Sequence, residues 1–179
     1  MGRLNPPHFQ QMEQLLASIP EYAKDLKLNL QTVLKQPELT EQQTWGTVVA
    51  CALASRNPPV LAALLAEATP HLQPVALEAA KGAAAIMGMN NIFYRFQHLS
   101  EHEKYSTIPT RLRMNIMRTH GSDPLDFELW CLAVSALNGC GKCIVAHDRT
   151  LREKGMTEET IVAAIRIASV VHAVACLPL

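Results

Sequence analysis

The sequence predicts an all-α protein: a helical fold of two pseudo-repeated halves that assembles into an oligomer. Three observations carry this prediction. Ala, Leu, Met and Val recur at three- and four-residue steps through nearly every long segment, and no stretch alternates apolar with polar residues as a half-buried strand would. Capping and stop residues fall between those segments, with Thr40, Asp126 and Thr157 placed as N-caps and Asn138-Gly139 and Gly155 as stops. Finally, the offset that brings Trp45 onto Trp130 lays EQQTWGTVVACALASRNPPVLAALLAEA over DFELWCLAVSALNGCGKCIVAHDRTLRE, so that a helix, a break and a second helix correspond in each half.

In chain order, Phe9–Ser18 and Tyr22–Val33 are expected as helices from their apolar spacing, and Glu41–Ser55 follows the Thr40 cap. Pro59–Ala68 and Pro74–Met89 each open on proline, which a helix tolerates in its first turn. His98–Ser106 has the weakest signals and is expected to be the least ordered part, and a shorter helix is expected over Pro109–Thr119. Asp126–Leu137 ends at Asn138-Gly139, Cys140–Lys154 ends before Gly155, and Thr157–Ala175 follows its own cap. The 179 residues read as one domain, with an N-terminal extension over 1–18, a half without chemistry over 40–95 and a half carrying a C-x-x-C over 124–176.

A chain of this length buries enough apolar surface to fold without disulfide staples. Lys plus Arg equals Asp plus Glu at 16 each, so neither nucleic acid nor an anionic membrane is expected as a partner. Hydrophobic residues make up 49% and charged residues 18%, more apolar surface than a small monomer hides, which points to a homo-oligomer. The amino terminus lacks an apolar core segment and no run is long enough to span a membrane, so a cytoplasmic location is expected. In such a reducing compartment a C-x-x-C is catalytic or metal-binding rather than structural, and Cys51, Cys131 and Cys176 read as core residues.

Glu128, Cys140, Cys143 and His147 are the candidate site. Two sulfurs three residues apart at the start of a helix can close a small disulfide ring and so cycle electrons. Unpaired N–H groups and the dipole at a helix N-terminus favour thiolate, lowering a cysteine pKa from about 8.5 to roughly 3.5–7.5 when a cationic neighbour helps. His147, one helical turn after Cys143, can reach that sulfur, and Glu128 can reach across the hairpin, giving a proton relay of carboxylate, thiol and imidazole. Peroxide reduction needs this set: a thiolate to attack the O–O bond, a proton for the leaving oxygen, and a second thiol to resolve the sulfenic acid. No G-x-G-x-x-G fingerprint appears, so the disulfide must be re-reduced by a partner rather than by a bound nicotinamide or flavin.

The stretches IPEYAKDLKLNL, WGTVVACALASRNPPVLA, AAAIMGMNNIFYR, LRMNI and FELWCLAVSALNGCGKCIVAHDRTLR closely resemble the alkyl hydroperoxidase D (AhpD) family, within the carboxymuconolactone decarboxylase-like superfamily. The resemblance runs from Ile19 to the carboxyl end. It implies a duplicated all-helical subunit, usually trimeric, with Cys143 as the peroxidatic thiol that becomes the sulfenic acid, Cys140 as its resolving partner, and Glu128 and His147 as proton carriers. It also implies reduction of organic hydroperoxides, with dihydrolipoamide on a lipoylated acyltransferase subunit as reductant, kept reduced by dihydrolipoamide dehydrogenase. Re-reduction of an AhpC-type peroxiredoxin is a further expectation. Lys142 departs from the family, which carries a relay histidine there; a lysine ammonium cannot act as a base, so its contribution is expected to be electrostatic only.

Two rival readings stand beside this one. The four site residues are acceptable zinc ligands, which would make the chain a zinc-stabilised interaction module, although three ligands in two helical turns suit a tetrahedron poorly. A carboxymuconolactone decarboxylase-like reaction is the other, but it does not require a C-x-x-C. The remaining histidines have no partners at ligand spacing; most read as surface residues, and His172 as a core or interface residue. Trp45 and Trp130 are expected as core anchors. The run Ala83–Asn91 reads equally as close helix packing or as the lining of a substrate or lipoamide channel, and Arg111–Arg118 as a solvated helix face able to steer an acidic lipoyl domain.

Overall fold

The computed structural model describes residues 7–179, with side chains from Gln11 onward. It is all-helical, with ten α-helices and two single-turn 3₁₀ segments among the described residues: α1 Pro7–Ser18, α2 Lys24–Val33, α3 Glu41–Ser55, α4 Pro58–Ala68, α5 Pro74–Leu99, α6 Glu103–Thr107, α7 Ile116–Thr119, α8 Pro124–Leu137, α9 Gly141–Glu153 and α10 Glu158–Ala175. Helix α3 is the centre, packed by α4, α5, α8 and α10. Its residues Thr44–Ala52 are all buried, which a helix tolerates only when it is apolar around its whole circumference, as Trp45-Gly-Thr-Val-Val-Ala-Cys-Ala52 nearly is. Helix α8 is equally enclosed from Leu129 to Ser135, and α1 lies against α4.

Close approach of these helices depends on small residues. A Cβ at Gly46 would sit inside the indole of Trp130, so α3 and α8 meet where one residue has no side chain. Ala79, Ala80, Ala83 and Ala84 play the same part for α5, whose buried face touches both α3 and α8. Cys51 and Cys131 lie in this core, where burial pushes the Cys51 thiol up to about 12 and raises Cys131, the latter helped by the nearby Glu128 charge. Both are inert core thiols, and Trp45 and Trp130 are the buried anchors expected of them. Cys176, by contrast, is exposed beside His172, which is also exposed on this chain.

The predicted caps at Thr40 and Thr157 form: Thr40 and Gln43 make a reciprocal capping box, and the Thr157 hydroxyl accepts from the Thr160 N–H. Gly139 and Gly155 both take left-handed φ, 68° and 88°, as helix stops. Three expectations about the helices need correction. The cap of α8 is Asp123, whose carboxylate accepts from the Leu125 and Asp126 N–H groups, with Pro124 pre-set in the first turn; Asp126 is instead buried, accepting from Gln42 and Gln43 of α3 at 2.7 and 2.9 Å. Helix α5 runs ten residues beyond Met89, to Leu99, because nothing in Asn90–Leu99 breaks it. The stretch 98–106, expected to be the least ordered part, holds the end of α5, a short irregular link and most of the five-residue α6. Residues 109–115 are not helical: Pro109 and a left-handed Arg111 at φ 51° prevent it, so the exposed arginines 111, 113 and 118 do not form one solvated helix face.

Candidate active site

The break between α8 and α9 is a Schellman turn. Cys140 N–H reaches back to Ser135 O and Gly139 N–H to Ala136 O, both near 3 Å, with Gly139 supplying the left-handed residue. Cys140 therefore closes one helix and, as N-cap, opens the next, and no side-chain oxygen caps the first N–H groups of α9. The turn is held from α5: Arg95 Nη1 donates to Asn138 O at 2.6 Å, and Asn138 Nδ2 donates to Asn91 Oδ1 at 2.9 Å. Asn91 in turn donates to Ser135 Oγ at 2.9 Å, and that hydroxyl contacts Met87 Sδ. A connected, partly buried network of this kind holds one geometry.

Cys140 and Cys143 form a disulfide, their Cα atoms 5.3 Å apart. Helix α9 buries Cys143, His147 and Leu151, one face at four-residue steps. That register turns thiol and imidazole the same way. His147 does not bond to the Cys143 sulfur; its Nδ1 lies 2.6 Å from Glu128 Oε2 on α8, the two side chains 11% and 22% exposed. A carboxylate can only accept, so Nδ1 carries the hydrogen and Nε2 is left as the acceptor of the neutral ring. The four predicted residues are thus brought together, with Glu128 acting on the ring rather than on a thiol.

Beside them is a cavity of about 290 Å³, lined by Met87, Asn90, Tyr94, Met114, Met117, Lys142, Cys143, Ala146 and His147. Of the two sulfurs, Cys143 faces this space, while Cys140 is fully buried. Lys142 is exposed at its rim, donating to Gln97 Oε1 at 3.2 Å and lying 5.5 Å from the centre of the Tyr94 ring. Residues 87 and 90 of the Ala83–Asn91 run line the cavity, while Ala83 and Ala84 are packed in the core and Asn91 braces the turn. Sequence reasoning missed Tyr94, Met114 and Met117. The first could have been found from its step along α5 after Met87 and Asn90; the other two reach the site only through the fold.

Near the same end of α8, His120 stacks on Phe127 with ring centroids 4.1 Å apart; burial lowers its pKa, against the opposing pull of Glu128 and Asp123. His71 stacks on Trp45 and pairs with Glu41 at 2.7 Å. His8 lies outside the described side chains. Among the described residues no group of three or more His, Cys, Asp or Glu side chains is arranged to hold a metal ion, and no helix is long and apolar enough to cross a membrane.

Residues 103–177 match the carboxymuconolactone decarboxylase family. Over nearly its whole length the chain is similar to proteins named alkyl hydroperoxide reductase AhpD. That of Solibacter usitatus is 63% identical over 167 residues, covering 93% of this chain and 94% of the relative. That of Acidobacterium capsulatum is 60% identical over 91% and 90%, and that of Streptomyces griseus 52% over 91% and 92%.

Proposed function

The chain belongs to the AhpD family of alkyl hydroperoxide reductases, and from that membership we propose that it is an antioxidant oxidoreductase that reduces organic hydroperoxides through a Cys140–Cys143 dithiol–disulfide cycle. The observation that carries this reading is the position of Cys143, one half of a disulfide, facing an apolar cavity beside an imidazole held by a carboxylate. In the reduced protein, His147 Nε2 takes the Cys143 proton and the uncapped N–H groups of α9 stabilise the thiolate. The sulfur attacks the terminal peroxide oxygen, the O–O bond breaks, and the alkoxide leaves as an alcohol with the proton returned from His147. Cys140 then attacks the sulfenic acid, expelling water and forming the disulfide.

Two electrons and two protons must then come from outside. Dihydrolipoamide on a lipoylated acyltransferase subunit is the proposed donor, regenerated by dihydrolipoamide dehydrogenase, with an AhpC-type peroxiredoxin as a further acceptor of the dithiol's electrons. A cytoplasmic homotrimer is part of this proposal, and the apolar side chains Ile92, Phe96, Leu99 and Val145, which stand exposed on α5 and α9, support self-association. The joined sulfurs and the bonded Glu128–His147 pair favour this cycle over a zinc module, and over a lactone decarboxylation that has no use for a C-x-x-C.

The test is peroxide-dependent NADH oxidation in the presence of lipoamide and dihydrolipoamide dehydrogenase. The intact protein should turn over cumene hydroperoxide, and Cys143→Ser should fall to the rate without protein. An intact, reduced protein with no turnover would overturn the proposal.

A further inference from the structure

We propose that Met114 is a modification site: while the Cys140–Cys143 disulfide waits for its reductant, a hydroperoxide entering the cavity passes its terminal oxygen to the Met114 thioether, and the resulting sulfoxide slows later turnover. This rests on the peroxidase reading above and adds a regulation of the same site.

With the two cysteines joined, the cavity beside Cys143 contains no thiolate. The groups in its wall that a peroxide can then oxidise by two electrons are the thioethers of Met87, Met114 and Met117. They differ in access. Met87 is 1% exposed, and its sulfur is met by Ser135 Oγ at 3.4 Å and Asn91 Nδ2 at 3.7 Å. A thioether attacks through its lone pairs, so a buried sulfur with two donors upon it is shielded. Met114 and Met117 are half-buried, one just before α7 and one within it. The Met114 sulfur is met by the Tyr94 hydroxyl at 4.0 Å, a single long contact that leaves its second lone pair unengaged among the described residues. Exposure alone does not single these two out, since Met89 and Met156 are half-buried as well and do not line the cavity.

The reaction balances without any other reactant. The Met114 sulfur attacks the terminal peroxide oxygen, the S–O bond forms as the O–O bond breaks, and the hydroxyl proton passes to the departing alkoxide. Thioether and hydroperoxide become sulfoxide and alcohol, with two electrons given up by sulfur. Tyr94 favours the product, because a sulfoxide oxygen accepts a hydrogen bond far better than a thioether does and the phenol already lies beside it. Oxidation turns a flexible apolar side chain into a polar one in the wall of a cavity of about 290 Å³, next to the sulfur that the following hydroperoxide must reach. A protein short of reductant therefore closes its own site, and a methionine sulfoxide reductase reopens it.

The protein in its disulfide form is incubated with cumene hydroperoxide or hydrogen peroxide in the absence of reductant, then digested with trypsin. Cleavage after Arg113 and Arg118 frees Met114-Asn-Ile-Met-Arg118, whose fragmentation places an added oxygen on Met114 or on Met117. Cumene hydroperoxide should oxidise Met114 roughly tenfold faster than Met89 or Met156, because burying as little as two methylene equivalents raises its occupancy of the cavity by about that factor. Hydrogen peroxide, which the apolar wall does not retain, should narrow that gap, and Tyr94→Phe should slow the oxidation of Met114 relative to that of Met117. Dithiothreitol then restores the thiols and leaves sulfoxides in place. The oxidised protein should lose its Cys143 thiol to fresh cumene hydroperoxide severalfold more slowly than untreated protein. Met114→Leu, similar in volume and without a thioether, should keep most of its own starting rate after the same incubation. Methionine oxidation that follows exposure with both peroxides, a first oxygen on Met87, or an unchanged thiol rate after selective oxidation of Met114 overturns the inference and leaves the peroxide cycle in place. A reduced protein whose thiols survive every hydroperoxide removes the cycle, and the inference with it.

Discussion

Two helix pairs at corresponding distances along the chain, α3–α4 and α8–α9, are joined by breaks that are built differently. After α3 the left-handed residue is Arg56, and Asn57 then caps α4: its carbonyl accepts from the Val60 N–H at 3.2 Å and its amide donates to Ala175 O at 2.8 Å. After α8 the left-handed residue is Gly139, and the position opening α9 is Cys140, with no side-chain cap. The first pair spends its helix N-terminus on structure. The second leaves it uncapped, so the unsatisfied N–H groups of a first turn that also carries Cys143 are available to favour a thiolate. At the offset that superposes the two tryptophans, Ser55, Pro58 and Ala62 stand opposite Cys140, Cys143 and His147, and Gln43 stands opposite Glu128. Gln43 ties α3 to its own cap and to Asp126, whereas Glu128 orients an imidazole. The two pairs thus differ in their side chains and also in where the helices stop, α8 ending at Leu137 and α9 opening at Gly141 where the offset would place the equivalents of Ser55 and Pro58 at 140 and 143.

The largest test of this contrast gives the second pair the first pair's residue. Glu128→Gln keeps size and shape but offers an amide that can donate to Nδ1 as readily as it accepts, so the ring is no longer held with Nε2 free. Single-turnover oxidation by cumene hydroperoxide should fall by about 10²–10⁴-fold, the usual worth of a positioned acid–base group. His147→Gln should fall comparably, and the double variant no further, because the pair acts as one unit. Additive losses would show that carboxylate and imidazole work separately. A rate-versus-pH profile that keeps its wild-type shape in Glu128→Gln would show the same.

That much of the site could be read in the chain because α9 presents it with local spacing: Cys140, Cys143 and His147 share thirteen residues of helix and its cap, and the Asn138-Gly139 stop marks where the helix begins. Glu128 is legible as a carboxylate one hairpin away, but its actual partner depends on how α8 and α9 cross. The cavity is less legible still. Met87, Asn90 and Tyr94 repeat along one face of α5, yet that helix was expected to stop at Met89, and Met114 and Met117 sit on a segment expected to be one continuous helix. Pro109 and the left-handed Arg111 break it and lay both methionines over the site. The Asp123 cap is hard to read for a similar reason: Asp126 adjoins the apolar run, but only Asp123 precedes the proline of the first turn. Periodicity reports helices and faces; it does not report which polar residue is left without a partner, the property that separates Asn90 from Asn91.

A smaller effect is expected where the two pairs touch. Gly46 of α3 lets the Trp130 ring of α8 lie against bare backbone, and the clash of an added methyl is with a buried indole that has no free side to turn toward. Gly46→Ala should destabilise the fold by about 1–3 kcal/mol, as overpacked cores do. For a chain of this size each kcal/mol lowers Tm by roughly 2–4 °C, which thermal unfolding reads directly. An unchanged Tm would mean the two central helices can slide apart at little cost, and that the site on α8 is less rigidly referenced to α3 than its burial indicates.

The smallest effect sharpens the contrast between the two breaks. Asn57→Ala removes the α4 cap and, with it, the hydrogen bond to the end of α10, so it should cost about 0.5–2 kcal/mol of stability by chemical denaturation. Because Asn57 does not line the cavity and its side chain bonds to α4 and α10, the oxidation rate of the folded protein should stay at the wild-type value. If instead the rate falls with stability, then the capped pair does more than support the uncapped one: loosening α4 and α10 would be reaching the cysteines through α3, and the division between a supporting half and a reacting half would no longer describe how this fold works.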